Sequence, residues 1–403
     1  MNILNKTNLR PCTSCQMCAA VCPKEAISIS LDNDGFYRPF INENLCIDCS
    51  LCIKVCNKFD NNIIITRDND LNRTKLIAAS AKDDNIVNKT TSGGISDLLA
   101  KQLIKEGYNV IGVAYDSQKN YAIHKTAKSE LDTDKFRGSK YIQSYSVDSF
   151  KELVKKCRNH KYAVFGLPCH IYAISKYLER IGQRDNCILI DLYCHGCPSM
   201  YTWTKTSDSI RSKLKCNNFI NVNWRSKKRG WGSFILEVQG NNEKKYVSSP
   251  MHNEFFDLFF SNQVLNESCI DCKLRGTLAY TDIRLGDFWG NEFSKTFRGM
   301  SAVSLVTDNG NKIFNSIIDK LNVVEKSYNI FLPFQSWSHT YKIDKKLRKE
   351  LLLNLKDNNT TITQCVNILR KKENIKTKMT LLIKEILSYF PINIEYKLRK
   401  ILK

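Results

Sequence analysis

The first apolar segments of the chain are short and flank a turn. AISISL and FYRPFI alternate or cluster apolar residues on either side of residues 32–35, DNDG, which is typical of a β-hairpin. Few other large apolar side chains occur before residue 66, so this segment cannot bury enough surface to be stable alone. We therefore expect a small N-terminal domain, residues 1–66, that needs a further source of stability.

The apolar pattern after residue 74 alternates between strand and helix periods. LIAASA is typical of a buried strand, TSGGISDLLAKQLIKEGYNVIGVAY of a loop, a helix and a strand, and CILIDLYC of another buried strand. A polar segment rich in Asn and Asp, residues 57–75, is predicted to be a linker between the two regions. We expect a mixed α/β (α+β) domain over residues 74–330, with an N-terminal part of about 74–150 and a C-terminal part of about 151–330.

The last part of the chain, residues 331–403, is predicted to be a basic helical tail. From Lys342 onward the pattern is helical, and TLLIKEILSYF has one broad apolar face with Lys384 and Glu385 opposite. The stretch from residue 341 to residue 403 holds 16 basic and 6 acidic residues. Docking on the preceding domain and peripheral contact with anionic lipid or a partner are both compatible with such a helix.

Composition argues against several classes of protein. No apolar run approaches the roughly 18 residues that a membrane span needs, so we expect no transmembrane segment. The formal charge of +21 suits nucleic-acid binding, but Lys, Asn and Ile are frequent throughout the chain, as biased base composition alone produces. We therefore expect no nucleic-acid partner. Seventeen cysteines without an N-terminal hydrophobic signal indicate a reducing compartment, the cytoplasm.

The cysteines near the N-terminus form two runs with the same spacing, CxxCxxCxxxC. In bacterial two-cluster ferredoxins each such run gives three thiolates to one 4Fe-4S cluster and the fourth to the other. The predicted ligand sets are therefore Cys12, Cys15 and Cys18 with Cys56, and Cys46, Cys49 and Cys52 with Cys22. Zinc knuckles and a disulfide framework are alternatives that the duplicated spacing disfavours. We expect cluster binding to supply the missing folding free energy, so that this domain is unfolded without its clusters.

Further candidate ligand and binding residues follow the predicted strands of the larger domain. Cys169 and Cys194 each come at the carboxyl end of a strand, where open α/β sheets present ligands. The amides of SGG, residues 92–94, precede a helix and suit a phosphate, although a plain turn is an equal alternative. No Walker P-loop, HExxH or dinucleotide GxGxxG motif is present. Four other cysteines occur singly and are expected to be inert thiols: Cys157, Cys187, Cys216 and Cys365.

The motifs SGG, RGSKYIQS, GLPCH, YCHGCPS, CIDC and LGDFWG occur in this order. In them the chain resembles the coenzyme F420 hydrogenase/dehydrogenase beta-subunit family over about residues 1–300, here with an N-terminal ferredoxin domain that binds two 4Fe-4S clusters. Proteins of that family are iron–sulfur flavoproteins, so the resemblance implies FAD in the larger domain. The residues that match the motifs expected around the flavin are Ser92, Gly93, Gly94, Gly138, Ser139 and Lys140. Of these, Lys140 would meet a phosphate or the anion of the reduced flavin.

The resemblance also implies a third 4Fe-4S cluster. The residues that match the family's cysteine motifs are Cys169, Cys194, Cys269 and Cys272. Cys197 departs from the pattern, because relatives usually have an apolar residue after CHG. CHGC and CIDC together are therefore also compatible with a four-cysteine zinc site, and unligated thiols are a further alternative.

Three residues are candidates for catalysis: Lys140, His195 and Asp287. His195 follows a candidate cysteine ligand, as does His170, and either a proton role near the flavin or hydrogen bonding in a tight loop would explain such a histidine. Asp287 in LGDFWG could bond a flavin or substrate hydroxyl. The two aromatic residues after it either stack on a ring or close the core.

These features together predict a flavin-dependent oxidoreductase. Single electrons would pass between a redox protein partner, such as a ferredoxin, a hydrogenase or a reductase subunit, and a flavin that exchanges hydride with a small-molecule substrate. A deazaflavin coenzyme or a polysaccharide-pathway metabolite is the substrate that the family association implies. The alternative is a non-catalytic iron–sulfur electron-transfer subunit of a larger complex. No residue in the sequence fixes the direction of electron flow.

Overall fold

A nine-stranded mixed sheet forms the centre of the fold, and a small N-terminal module, a second sheet and C-terminal helices pack around it. The computed structural model describes residues 1–4, 11–249, 253–293 and 296–372, together with residues 379, 380, 382, 383, 386, 387 and 390. Its strands are β1 (Ile27–Leu31), β2 (Tyr37–Ile41), β3 (Lys75–Ala81), β4 (Asn109–Asp116), β5 (Tyr121–Ala127), β6 (Ser144–Tyr145), β7 (Tyr162–Phe165), β8 (Cys187–Leu192), β9 (Phe219–Ser226), β10 (Ile235–Gly240), β11 (Lys245–Val247), β12 (Ile283–Asp287), β13 (Ser301–Leu305) and β14 (Leu321–Lys326). Its helices are α1 (Met17–Ala20), α2 (Leu51–Lys54), α3 (Asp68–Leu71), α4 (Asp84–Asn88), α5 (Ile95–Lys105), α6 (Glu130–Thr133), α7 (Val147–Lys156), α8 (Pro168–Arg180), α9 (Met200–Leu214), α10 (Glu254–Phe260), α11 (Asp308–Asn315), α12 (Tyr328–Phe331), α13 (Lys345–Lys356) and α14 (Ile362–Lys371).

The nine-stranded sheet has the order β14-β3-β13-β12-β8-β7-β4-β5-β6. Four neighbouring strands at its centre, β12, β8, β7 and β4, run parallel, with Leu285 opposite Leu192 and Phe165 opposite Ile190. The pairs β4–β5, β12–β13, β13–β3 and β3–β14 are antiparallel. The carboxyl ends of the parallel strands therefore meet at one edge of the sheet, and the predicted mixed α/β architecture is confirmed.

Successive residues of the central strands alternate between two cores. Val110 packs with α5 and α11 on one face of the sheet, whereas its neighbour Ile111 packs with α7 and α8 on the other. Ala163 and Val164 divide between the faces in the same way. Because a strand covered on both faces needs apolar residues at every position, segments such as CILI are continuously apolar instead of alternating.

The N-terminal module consists of the predicted hairpin, β1 and β2, and two similar cysteine loops. Gly35 in the hairpin turn has a φ of +79°, in the region that favours glycine. Positive φ values recur at equivalent positions of the two loops, at Ser14 and Gln16 in the first and at Asp48 and Ser50 in the second. Each loop leads into a four-residue helix, α1 or α2. The repeated cysteine spacing therefore folds into a repeated backbone shape.

Two buried glutamine side chains fix the module to the larger domain. Gln16 donates from Nε2 to the Ser144 carbonyl (2.8 Å) and accepts at Oε1 from the Ser146 amide (2.8 Å). In the opposite direction, Gln143 of the larger domain donates from Nε2 to the Gly35 carbonyl (3.0 Å). Buried bonds of this kind hold the module in one orientation on the edge of the sheet.

The polar segment 57–75, predicted to be a linker, is packed along the larger domain. Ile63 is buried, the Ile64 amide donates to the Tyr280 hydroxyl (3.0 Å), and the Thr66 amide donates to the Gly276 carbonyl (3.1 Å). The linker interpretation is corrected here, because these backbone groups find partners that a polar composition does not reveal.

The C-terminal helices pack on α9 and α10, which in turn cover the second sheet. This sheet has the antiparallel order β11-β10-β9 and packs with α9 and α10. Helices α13 and α14 pack on α10 through Leu351, Leu355 and Cys365, so the described part of the predicted tail is docked. Of the segment TLLIKEILSYF, residues 381, 388 and 389 and the predicted polar positions Lys384 and Glu385 lie outside the described residues. Within the described part of the chain, no helix is both long enough and apolar enough to span a membrane.

Replacing Gln143 by Ala should loosen the module from the sheet. The Gln143 side chain also donates to the Pro198 carbonyl (3.0 Å) and accepts from the Tyr37 amide (3.2 Å), and these buried backbone groups would lose their partner. We expect the free energy of unfolding to fall by about 2–4 kcal/mol, measured by urea denaturation of cluster-loaded protein under anoxic conditions. Gln118→Ala, at an exposed position, should change it by less than about 0.5 kcal/mol. Equal losses in the two variants would contradict this role.

Candidate functional site

Two cavities in the N-terminal module are each lined by four cysteines. The first set consists of Cys12, Cys15, Cys18 and Cys56. The second set consists of Cys22, Cys46, Cys49 and Cys52. Helices α1 and α2 carry the last cysteine of each run across to the other loop. The structure therefore brings together both sets that the spacing predicts, including the exchanged fourth cysteine.

The chemistry of these thiols fits an iron–sulfur cluster. Burial raises the pKa of Cys15 to about 11 and that of Cys18 well above its usual value, and neighbouring cysteines raise both further. Thiolates at this density need cations between them, which metal ligation provides. Each thiolate of a 4Fe-4S cluster binds a different iron atom, so the thiols need to surround a cavity and not converge on one point. Accordingly, no three His, Cys, Asp or Glu side chains of the described residues are arranged to hold a single metal ion.

Five cysteines, here called the third cysteine set, gather at the carboxyl edge of the parallel strands. Cys169 is the second residue of α8, after β7, and Cys194 follows the neighbouring strand β8. Cys197 comes next along the chain, and Cys269 and Cys272 lie between α10 and β12. Burial raises the pKa of Cys169 and Cys197 well above the usual range, and the nearby cysteines add to this shift. A third 4Fe-4S cluster and a zinc site at this set both stay predictions.

Asn266 connects the third cysteine set to the first cysteine loop of the module. Its amide donates to the Cys197 carbonyl (2.8 Å), and its carbonyl accepts from the Cys269 amide (2.8 Å). Its side-chain Nδ2 donates to the hydroxyl of Ser14, which belongs to the first loop (2.9 Å). Asn266 is fully buried, so water does not compete for these bonds. This positioning role leaves no recognisable signal in the sequence.

The three cysteine sets form a row from the surface into the protein. The two sets of the module share a core through Cys18 and Cys52. Cys169 of the third set packs against the core that contains Cys15 of the first set. At the other end of the row, Cys49 of the second set is exposed. The first set therefore lies between the exposed second set and the third set.

The two histidines that follow cysteines of the third set are engaged in the fold. His195 bonds the Ser336 hydroxyl through Nδ1 (3.1 Å) and donates from Nε2 to Asn262 Oδ1 (2.8 Å), and burial lowers its pKa to about 4. His170 accepts at Nδ1 from the Leu167 amide (3.2 Å). Of the two interpretations that the sequence left open, these contacts favour hydrogen bonding within a tight loop, and a catalytic role for His195 stays a prediction.

The two glycine loops predicted to surround a flavin lie side by side, since the Ser139 amide donates to the Thr91 hydroxyl (2.7 Å). Gly94, with a φ of +87°, directly precedes α5, as the pattern predicts. A Cβ on Gly93 would lie 2.4 Å from a carbonyl oxygen of β3, so packing alone requires glycine there. A Cβ on Gly138 would meet no atom within 4 Å, so this second loop borders open space.

Lys140, the candidate for a phosphate contact, is bound by the protein itself. Its ammonium group donates to the carbonyls of Lys135, Phe136 and Arg137 at 3.3, 3.0 and 2.8 Å. These bonds use all three of its N–H groups. Burial also lowers its pKa to about 7. Contact between Lys140 and a flavin stays a prediction, and this arrangement favours a structural role.

A pair of cations beside the glycine loops was missed by the sequence reasoning. Lys227 donates to the Ser92 carbonyl (2.7 Å), and burial lowers its pKa to about 8. Arg225 is buried, forms an ion pair with Asp287, and donates to the Tyr141 hydroxyl (3.3 Å). Its Nε has no hydrogen-bond partner among the described residues. The basic run KKRGW, which begins at Lys227, is visible in the sequence. Only folding places this run, directly after β9, beside residues 92–94.

Two tryptophans lie next to these cations. The rings of Trp231 and Trp289 stack with centroids 4.6 Å apart and an interplanar angle of 10°. Trp231 donates from Nε1 to Asp287 Oδ1 (3.1 Å), and the guanidinium carbon of Arg225 lies 5.1 Å from the Trp289 ring centroid. Phe288 is buried in the core. The aromatic residues of LGDFWG therefore contribute to packing, and Asp287 is held by protein partners, so its catalytic role stays a prediction.

Two family models match the chain. Residues 11–59 match the 4Fe-4S dicluster domain, and residues 159–329 match the C terminus of the coenzyme F420 hydrogenase/dehydrogenase beta subunit. The chain carries a dicluster domain followed by a domain of this hydrogenase/dehydrogenase type. The resemblance predicted from the motifs is confirmed over these two segments, and the dicluster domain makes this an iron–sulfur protein.

No curated protein matches the chain. Among solved structures, one chain of the F420-reducing NiFe hydrogenase complex from Methanosarcina barkeri, studied by xenon derivatisation, is similar at 18% identity. The match covers 75% of this chain and 93% of that chain, with a TM-score of 0.45.

The exposed second set should lose its cluster before the first set. After brief exposure to air, we expect iodoacetamide to label Cys46 and Cys49 at least about tenfold faster than Cys15 and Cys18, because access controls the reaction of thiols. Mass spectrometry of the peptides measures the labelling. Urea-unfolded protein, in which the four thiols react alike, is the control. Equal rates in the folded protein would rule out the proposed order of burial.

Asp287→Asn should destabilise the protein, because it leaves the buried Arg225 guanidinium without its carboxylate. We expect the free energy of unfolding to fall by about 3–5 kcal/mol in anoxic urea denaturation. Asp185→Asn, at an exposed position, is the matched control and should have little effect. A variant at 287 with unchanged stability but lost activity would instead favour the catalytic interpretation.

Proposed function

We propose that this protein is an iron–sulfur flavoprotein oxidoreductase that passes single electrons between a redox protein partner and a flavin, which exchanges hydride with a small-molecule substrate. The row of three cysteine sets carries this proposal. It leads from the exposed Cys49 through the first set to Cys169 at the carboxyl edge of the sheet. Open α/β sheets bind their ligands at that edge, so a relay ending there would deliver electrons to a cofactor site.

The third cysteine set would hold a third 4Fe-4S cluster. Its thiols come from separate loops, are partly buried, and lie close enough to one another to raise the pKa of Cys169 and Cys197. Cys169 lies in the first turn of α8, where the helix dipole stabilises a thiolate. The family motifs support four of the five thiols as ligands: Cys169, Cys194, Cys269 and Cys272. Cys197 is then a fifth thiol close to the cluster.

The glycine loops and the cations beside them would hold FAD. Its diphosphate is anionic, and the structure supplies two cations beside the loops: Lys227, which is half-buried and bonded to Ser92, and the buried Arg225, whose Nε has no partner among the described residues. The second loop borders open space at Gly138. When bound, the flavin supplies the exchange between single electrons and hydride. Lys227 and Arg225 therefore replace Lys140 as the proposed cationic contacts, while Lys140 holds its own loop.

A non-catalytic electron-transfer subunit is the second candidate function. The hydrogen bonds of Ser92, Gly93 and Lys140 favour it, because protein groups already bind these three residues and no flavin is needed to satisfy them. For the enzyme, the family association supports a deazaflavin coenzyme or a polysaccharide-pathway metabolite as substrate, and no residue selects between them.

Anoxic purification with iron, zinc and flavin analysis tests the proposal. About twelve irons and one FAD per chain are expected for the enzyme, whereas about eight irons with zinc and no flavin would support the second candidate.

Cys169→Ser should lower the iron content to about eight while the electron paramagnetic resonance signals of the dicluster domain persist. Cys216→Ser, at a similarly half-buried cysteine outside the three sets, should retain about twelve irons. If both variants keep the full iron content, Cys169 is not a cluster ligand.

A further inference from the structure

A buried arginine without a carboxylate partner lies beside the third cysteine set. Arg275 is three residues after Cys272, in the short helical turn Lys273–Gly276, and only 3% of its surface is exposed. The nearby Arg284 is also buried, but it forms a bidentate ion pair with Asp191, with Nε 2.7 Å from Oδ1. Among the described residues, no carboxylate lies within ion-pair distance of Arg275.

Hydrogen bonds to backbone carbonyls occupy both Nη atoms of Arg275 but do not neutralise its charge. Nη1 donates to the His195 carbonyl (3.0 Å), and Nη2 donates to the carbonyls of Ile270 (3.3 Å) and His339 (2.6 Å). The guanidinium carbon also lies 4.3 Å from the ring centroid of Tyr341. Its Nε is buried without a partner among the described residues. A buried cation in this state is costly unless an anion lies nearby.

The third cysteine set is the group that can supply the negative charge to balance Arg275. The Arg275 contacts at His195 and Ile270 are to the residues directly after Cys194 and Cys269. Arg275 is thus bound to the backbone of both loops that carry these two cysteines, and its positive charge lies beside their thiols. The guanidinium therefore favours negative charge at this set.

We propose that Arg275 is the counter-charge of the third centre and raises its reduction potential. The inference rests on the proposed third cluster. A 4Fe-4S cluster with four thiolates is anionic and becomes more negative by one charge when it gains one electron, which the dicluster domain loses. No bond or proton needs to move in this step. A fixed cation in a poorly solvated site stabilises the more negative state, so electrons are drawn from the dicluster domain toward the carboxyl edge of the sheet.

Three variants, studied by electron paramagnetic resonance during anoxic redox titration with dithionite, test the assignment. In Arg275→Gln, the equilibrium constant for one-electron reduction of the third centre should fall at least about tenfold, which lowers its midpoint by about 59 mV. Arg275→Lys keeps the charge and should stay within about threefold of the wild type. Lys273→Gln removes the same charge from an exposed position of the same turn and should have no effect. The midpoints of the dicluster domain should not change in any variant.

Each result either supports or overturns the proposed role of Arg275. An unchanged midpoint in Arg275→Gln, or an equal fall in Arg275→Lys, would overturn the proposal, because the charge would then not be the cause. If Arg275→Gln loses the third centre while Arg275→Lys retains it, the charge is needed to hold the anionic cluster, which supports the proposal. Loss of the centre in both variants would assign Arg275 to loop structure alone. A wild-type protein with only the two clusters of the dicluster domain would instead contradict the proposed function itself.

Discussion

Thiolates crowded into a water-poor interior need cations among them, and much of this structure depends on that constraint. Burial shifts the pKa of Cys18 and Cys169 well above the usual range, so without metal these thiols would be protonated and neutral. Cys15 belongs to a core that also contains residues of β7, α7 and α8, so cluster binding supports the larger domain as well as the module.

Buried polar side chains fix the positions of the cysteine sets relative to one another. Gln16 and Gln143 hold the module on the edge of the sheet, and Asn266 joins Ser14 to the loops of Cys197 and Cys269. Satisfied amide networks of this kind specify one arrangement, because a shifted module would leave buried donors without acceptors. The row of cysteine sets is therefore a property of the interface between the two domains and not of either domain alone.

Several parts of this arrangement were accessible from the sequence because they are local. The cysteine spacing identified both sets of the module with the exchanged fourth member, and the turn at residues 32–35 identified the hairpin. The alternation of strand and helix patterns predicted the mixed sheet, although not its order. The prediction for Lys140 was weaker, because a lysine beside a glycine resembles a phosphate contact whether or not backbone carbonyls already bind it.

The sequence by itself determined the number and spacing of the cysteines and the ferredoxin-like module, and its motifs predicted the type of domain that is matched over residues 159–329. Only the tertiary structure decided how these parts are combined. It brought Cys169 next to Cys15, packed the segment predicted to be a linker against the larger domain, and left Arg275 buried with no carboxylate partner among the described residues. Ligand type and spacing depend on neighbours along the chain, whereas distance, burial and uncompensated charge depend on segments far apart in sequence, whose contacts exist only after folding.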